Sequence, residues 1–253
     1  MGCTGAVIDD WKQEYANIDE RWPTSNKSSI YGESKVLLFP YPQHHSLTYC
    51  LQAEAEKKVL AANSREFPTC ILRPSVLMGP GDYQLVPSIH ACIAKSETPF
   101  IIGNADNLWD VTYVTNIADA HVLAAENLVS KATPSAAGEC FFIQNNTPIT
   151  FRDFSLAIWK EFNHYPPFEI TIPENLAWFA GLLAEMASWV TGSEFPTLSR
   201  GSVNDACAMR YASGEKALRI LGYEPRVGLE EGIKLSCEDL KRRLEGKVKW
   251  NRS

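Results

Sequence analysis

Tyr31 and Lys35 stand four residues apart in the stretch Tyr31-Gly-Glu-Ser-Lys35. On a helix, that spacing stacks both side chains on one face. A phenol with an ordinary pKa of about 10 is a poor proton shuttle at neutral pH. An ammonium beside it favours the phenolate and brings the pair into a useful range. Such a pair can take a proton from an alcohol while a hydride leaves the same carbon. The same spacing also arises when a Tyr packs on a helix and a Lys sits in solvent, so the surroundings must decide.

Other residues with chemistry to offer are less well placed. Asp119 and His121 could act as an acid/base pair. Their i,i+2 spacing puts them on different helix faces, which predicts a structural role. The seven cysteines (3, 50, 70, 92, 140, 207 and 237) form no Cys-x-x-Cys and no metal-ligand spacing. His44 and His45 have no partner set around them. No metal site is expected.

The elements that must position Tyr31 and Lys35 can be traced along the chain. Residues 1–9 read as the end of a buried strand. Ala53–Asn63 is a strong helix sequence capped by Asn63. Pro68–Pro74 reads as a short buried strand and Ser75–Asp82 as the loop at its C-terminal end. Val86–Lys95 is a helix. Phe100–Gly103 and Val111–Val114 are short strands around an Asn/Asp turn. Asn116–Leu128 is a helix with apolar residues at 117, 120, 124 and 128. Cys140–Ile143 is a strand, and Thr150 caps a helix running to Phe162. Ser213–Gly222 and the amphipathic, terminally basic Leu229–Leu244 complete the helices.

Four ordered motifs on these elements resemble the extended short-chain dehydrogenase/reductase superfamily. The resemblance is strongest to its branch of 3β-hydroxysteroid dehydrogenases and sterol-4α-carboxylate 3-dehydrogenases. The motifs are Tyr31-x-x-x-Lys35, Leu72-Arg-Pro-Ser-Val-Leu-Met-Gly-Pro-Gly-Asp82, Trp109–His121 and Leu221-Gly-Tyr-Glu-Pro-Arg226. The likeness covers residues 1–35 and 53–245. It implies an α/β fold: the C-terminal part of an extended Rossmann-type, doubly wound dehydrogenase with a small α/β substrate subdomain. Residues 1–150 would belong to the dinucleotide-binding domain and 151–253 mainly to the substrate subdomain.

The resemblance also implies site residues. Tyr31 would be the general base, and Lys35 its pKa setter and a ligand of the cofactor ribose. Thr4 stands where the family carries a Ser or Thr that hydrogen-bonds the substrate oxygen; a plain Thr at a strand end reads equally well. Pro74, Ser75 and Val76 would lie beside the nicotinamide carboxamide. The implied cofactor is NAD or NADP, and the implied substrate is a sterol or triterpenoid oxidised at its C3 hydroxyl. A nucleotide-sugar epimerase or dehydratase shares Tyr-x-x-x-Lys and is the rival within the superfamily.

Two features depart from the family. A dinucleotide fold needs a Gly-rich turn between a strand and a helix to cradle the pyrophosphate. No Gly-x-Gly-x-x-Gly or related spacing occurs. The expectation is therefore an N-terminally truncated chain that, as written, binds dinucleotide weakly or not at all and is inert. Residues 36–52 are the second departure. Pro40 and Pro42 break any helix, yet joining Lys35 to Ala53 gives one uninterrupted helical sequence. Val codons begin GT, Gln can be CAG, and Leu-Thr can encode CTNAC. These are the marks of a translated, unspliced intron; a genuine family-specific loop is the alternative.

Leu176–Val190 is the most apolar stretch, interrupted only by Glu185. It is too short to span a bilayer. It suits a membrane interface, a cover over a sterol pocket, or a buried helix. Peripheral membrane contact through 176–190 and a homodimer are the partner expectations. With 253 residues, 45% apolar, and a net charge of −6, nucleic-acid binding is not expected. Met-Gly-Cys at the start invites a lipidation reading, but the same residues match an internal strand of the family. Scattered thiols point to a reducing compartment, so the expected location is cytoplasmic or associated with the endoplasmic-reticulum membrane.

Overall fold

The computed structural model of the chain describes residues 15–22, 55–130, 133–191 and 199–250. Thr4, Tyr31, Lys35 and the 36–52 segment lie outside these residues.

The central pair of strands is β2 (Ile71–Pro74) and β7 (Cys140–Ile143), parallel and in register from Ile71↔Cys140 to Pro74↔Ile143. All four β2 residues are buried. Both faces of this pair are covered, which explains why Cys-Ile-Leu and Cys-Phe-Phe-Ile show no polar alternation. On one face Leu72, Phe141 and Ile143 pack with Ile117, Ala120 and Ala124 of α3 (Val114–Ser130). Ala217 and Leu221 of α7 (Glu215–Leu221) join the same cluster. On the other face Phe142 packs with Ile18 of β1 (Tyr15–Ile18) and Ala212 of β10 (Arg210–Ala212). The 3.6-residue spacing at 117, 120 and 124 is what seats α3 on the sheet.

A second core forms around β3 (Val76–Met78) and β6 (Val111–Tyr113), also parallel. Met78, Val111 and Tyr113 meet three helices there: α2 (Leu85–Ala94), α4 (Phe151–Glu161) and α8 (Leu229–Trp250). Phe154, Ile158 and Trp159 supply the α4 face, and Ile233, Cys237 and Leu240 the α8 face. Thr150 caps α4 as its sequence predicts, accepting the Asp153 N–H at 3.0 Å.

The smaller strands complete the sheets. β4 (Phe100–Ile102) pairs in parallel with β9 (Ile170–Ile172). β1 pairs with β10, β10 with β5 (Leu108–Trp109), and β5 antiparallel with β8 (Ile149–Thr150). Two further helices, α5 (Glu174–Thr191) and α6 (Arg200–Cys207), pack on each other. Residues 55–61 form α1, the described part of the helix expected before Asn63.

One sequence expectation is corrected. Ser75–Asp82 is not a loop throughout. Val76–Met78 forms β3, because three consecutive apolar residues find a parallel partner in Val111–Tyr113. The strands expected on either side of the Asn/Asp turn are β4 and β6, with β5 between them, and they pair with β9 and β3. Gly79 then lets the chain leave β3, since a Cβ there would run into Val114 and its φ is +155°. Gly222 ends α7 in the left-handed conformation at φ 66°.

Candidate active site

β2 and β3 are separated only by Ser75, yet they pair with different strands. β2 follows β7 and β3 follows β6. The two ladders therefore part at Ser75. In parallel α/β sheets, ligands sit at the C-terminal ends of strands where such a divergence opens a crevice. The structure thus brings Pro74, Ser75 and Val76 to one place. Pro74 is buried, Ser75 half-buried, and Val76 is exposed at the start of β3.

Ser75 is fixed twice. Its N–H donates to the Ile143 carbonyl at 3.2 Å. Its hydroxyl lies 2.6 Å from the Thr112 hydroxyl. Thr112 is wholly buried in β6 and also donates to the Ile143 carbonyl at 3.2 Å. Three strands thus converge on one carbonyl oxygen. Just after β7, Gln144 is fully buried, and neither atom of its side-chain amide has a partner among the described residues.

β2 is anchored to α1 by Arg73 and Glu56, both buried. The guanidinium Nη2 meets a carboxylate oxygen at 2.7 Å, and Nε reaches both oxygens at 3.2 and 3.3 Å. Arg73 also lies over the Phe142 ring, 5.5 Å from its centre. The pair therefore connects the helix that follows the Tyr31–Lys35 stretch in sequence to the strand that carries Pro74.

The loop after β3 is held from two sides. Asp82 accepts N–H bonds from Gln84, Leu85 and Val86, which starts α2. From α8, Asp239 accepts the Gly81 N–H at 2.9 Å, and Arg243 donates to the Asp82 carbonyl at 2.6 Å. Arg243 pairs with Asp239 at 2.9 Å and covers the Tyr83 ring. The Gly81 N–H bond and the arginine hold the Asp239 carboxyl below its usual range.

The Trp109–His121 and Leu221–Arg226 motifs meet through Asn116. Its amide donates to Asn145 Oδ1 at 2.7 Å and to the Val227 carbonyl at 2.8 Å. Its oxygen accepts the Arg226 and Val227 N–H groups at 3.1 and 3.0 Å. Asp110 sits beneath, accepting N–H bonds from Asn145 and Thr147 at 3.1 and 3.2 Å. Burial pushes its carboxyl up to about 6, against those bonds. Asp119 faces Arg226 at 3.6 Å, while His121 donates from Nδ1 to the Ile117 carbonyl at 2.7 Å. They belong to different local contacts, as their spacing predicts.

Thr112 and Asp110 enter the sequence reading only within the Trp109–His121 motif and Glu56 only within the Ala53–Asn63 helix; none of the three is singled out for a role there. α5 presents Leu176, Phe179, Leu183, Met186 and Val190 to the outside at alternating steps of three and four residues. Beyond Glu174 in its first turn, its one charge is Glu185, which is turned aside and pairs with Arg200 at 2.8 Å. Among the described residues no helix is long and apolar enough to cross a membrane.

Comparison with known proteins matches this architecture. The solved structure of an epimerase from Methanothermobacter thermautotrophicus superposes with a TM-score of 0.63 at 18% identity, covering 98% of this chain and 60% of that one. A dTDP-glucose 4,6-dehydratase from Bacillus anthracis, solved in complex with NAD, gives 0.59 at 15% identity, covering 96% and 61%. At such identities the likeness establishes the fold, an α/β Rossmann-type architecture. In sequence, the chain is 40% identical over 225 residues to the decarboxylating sterol-4-alpha-carboxylate 3-dehydrogenase of Saccharomyces cerevisiae, covering 87% of this chain and 59% of that protein. The counterpart in Mus musculus is 35% identical over 188 residues, covering 72% and 51%. The chain thus spans between roughly one third and two thirds of the length of the curated relatives it matches. The family model for 3-beta hydroxysteroid dehydrogenase/isomerase matches residues 8–174, which take in the Tyr31–Lys35 stretch, the Ser75 junction and Asn116. The chain belongs to the 3-beta hydroxysteroid dehydrogenase/isomerase family.

Proposed function

We propose that this chain serves an NAD- or NADP-dependent oxidoreductase that oxidises the 3β-hydroxyl of a sterol or triterpenoid. The observation that carries the reading is the 40% identity to the yeast sterol-4-alpha-carboxylate 3-dehydrogenase over 225 residues. In a 4α-carboxylate substrate, oxidation at C3 makes a β-keto acid. That product loses CO₂ through its enol with no further group from the protein.

The roles follow from the motif residues. Tyr31 takes the proton of the C3 hydroxyl, Lys35 favours its phenolate and holds the ribose, and Thr4 orients the substrate oxygen. When bound, the nicotinamide dinucleotide supplies the hydride acceptor. Residues 74–76 fit its nicotinamide end: Ser75 is half-buried, and Val76 offers an exposed apolar side chain at the start of β3. Residues 1–150 serve mainly the dinucleotide and 151–253 mainly the substrate. The apolar outer face of α5 supports a lipid-like substrate and contact with a membrane surface over a sugar-phosphate substrate.

The test is turnover. The chain is expressed alone, and also without 36–52 behind the segment preceding the matched region in the yeast relative. Reduction of NAD or NADP with a 3β-hydroxysterol 4α-carboxylate, with release of CO₂, is expected of the second protein. Turnover of nucleotide sugars, and none of sterols, would contradict the reading.

A further inference from the structure

We infer that Tyr83 is a substrate-facing residue whose ring lies against the sterol skeleton, and that Asp239 and Arg243 of α8 are the positioning residues that hold it there. The inference rests on the sterol reading above and names an aromatic contact for that substrate.

Residues 79–84 leave the carboxyl end of β3 and lead into α2. Ligands of parallel α/β sheets lie beyond the carboxyl ends of the strands. Tyr83 stands there with its side chain 79% exposed. An exposed tyrosine on a loop is ordinary, and such loops are commonly mobile. This one is fixed. The Arg243 guanidinium lies over its ring, 4.8 Å from the centre. The same guanidinium donates to the carbonyl of Asp82, the residue before Tyr83, at 2.6 Å. Asp239, one helical turn earlier on α8, pairs with Arg243 at 2.9 Å and accepts the Gly81 N–H at 2.9 Å. On the other side of Tyr83, the Asp82 carboxylate accepts the Gln84, Leu85 and Val86 N–H groups and so fixes the chain that follows. The backbone is therefore held before and after Tyr83, and one face of its ring is covered. A ring left this exposed buries little apolar area, so the fold gains little from placing it. What the arrangement achieves is order. A ring held in one orientation before a ligand arrives gives up little freedom on contact, which is what makes rigid aromatic side chains effective anchors. Arg243 occupies one ring face, and the open face is the one a ligand meets. A fused-ring hydrocarbon skeleton suits that face.

The test titrates dehydroergosterol, a fluorescent 3β-hydroxysterol carried in methyl-β-cyclodextrin, into the 253-residue chain and reads energy transfer from tryptophan. Tyr83→Ser should raise the Kd by about 3- to 10-fold, the size of one aromatic contact. Tyr83→Phe keeps the ring and should bind as the parent does. Arg243→Ala should weaken binding by a similar or smaller factor. Adding it to Tyr83→Ser should cost nothing more, because Arg243 acts through the ring. A Tyr83→Ser chain that binds as tightly as the parent overturns the inference. A Tyr83→Phe chain as weak as Tyr83→Ser overturns it too. An Arg243→Ala chain that binds like the parent, or whose loss adds in full to that of Tyr83→Ser, overturns the positioning role. A parent that binds no sterol overturns the sterol reading itself, and this inference falls with it.

Discussion

Arg73 and Glu56 form an ion pair across the β2–α1 boundary at 2.7 Å, with only 4% and 5% of the two side chains exposed. Two charges taken out of water recover their lost hydration only through each other and through added hydrogen bonds. Replacing Glu56 with Gln should therefore destabilise the chain by about 3–5 kcal/mol, because it leaves a buried guanidinium without its counter-charge. Replacing both residues with apolar ones of similar size should cost less than either single change. Urea denaturation of the three variants checks both statements; a double variant less stable than each single one would contradict them.

Asp110 sets a pH dependence of stability. Its folded carboxyl titrates at about 6, above its ordinary value of 3.8. The folded state thus holds a proton that the unfolded state has released. Its stabilising contribution is complete below about pH 3.8 and is lost as pH rises through about 6. The loss amounts to roughly 3 kcal/mol across that window. Asp110→Asn should flatten this part of the stability profile, measured by denaturant unfolding at a series of pH values. A profile unchanged by the substitution would contradict the assignment.

The outer face of α5 should mediate vesicle binding. Trp189 and Leu183 are 86% and 51% exposed in a stripe that carries no free charge of its own. Leu183→Glu with Trp189→Ser should lower cosedimentation with phosphatidylcholine vesicles at least several-fold without changing the melting temperature. Equal cosedimentation of parent and variant would remove the membrane proposal.

Residues 36–52 make a prediction at the level of the message. Sequencing of transcripts should find copies that join the Lys35 codon directly to the Ala53 codon. Mature transcripts that all retain the intervening codons would end the intron proposal.

Much of this architecture was legible because apolar periodicity reports burial. Cys140–Ile143 is a strand with the bounds its sequence suggests, and Thr150 caps α4 as Ser/Thr caps do. The Asp119 and His121 spacing, which puts them on different helix faces, agrees with their separate contacts to Arg226 and to the Ile117 carbonyl. Strand pairing was not legible. Nothing local in Val76-Leu-Met78 says that it joins Val111–Tyr113 while the preceding β2 joins β7. The site suffers from the same blindness. Ser75 could be named from its motif, but the Thr112 that fixes it is 37 residues away. Glu56 likewise looks like any helix-surface glutamate until the fold brings Arg73 to it from 17 residues along the chain.

The central claim is that Tyr31 moves the proton in a 3β-hydroxysterol oxidation. The most direct measurement is steady-state dinucleotide reduction by the chain lacking 36–52 placed behind the yeast relative's preceding segment, with and without Tyr31→Phe. A group that acts only along the reaction path affects kcat and leaves ligand affinity alone. The account predicts a fall in kcat of roughly 10²- to 10⁴-fold, the usual worth of general acid–base catalysis, with cofactor affinity nearly unchanged. A Tyr31→Phe protein that still oxidises the sterol at close to the parent rate would contradict it.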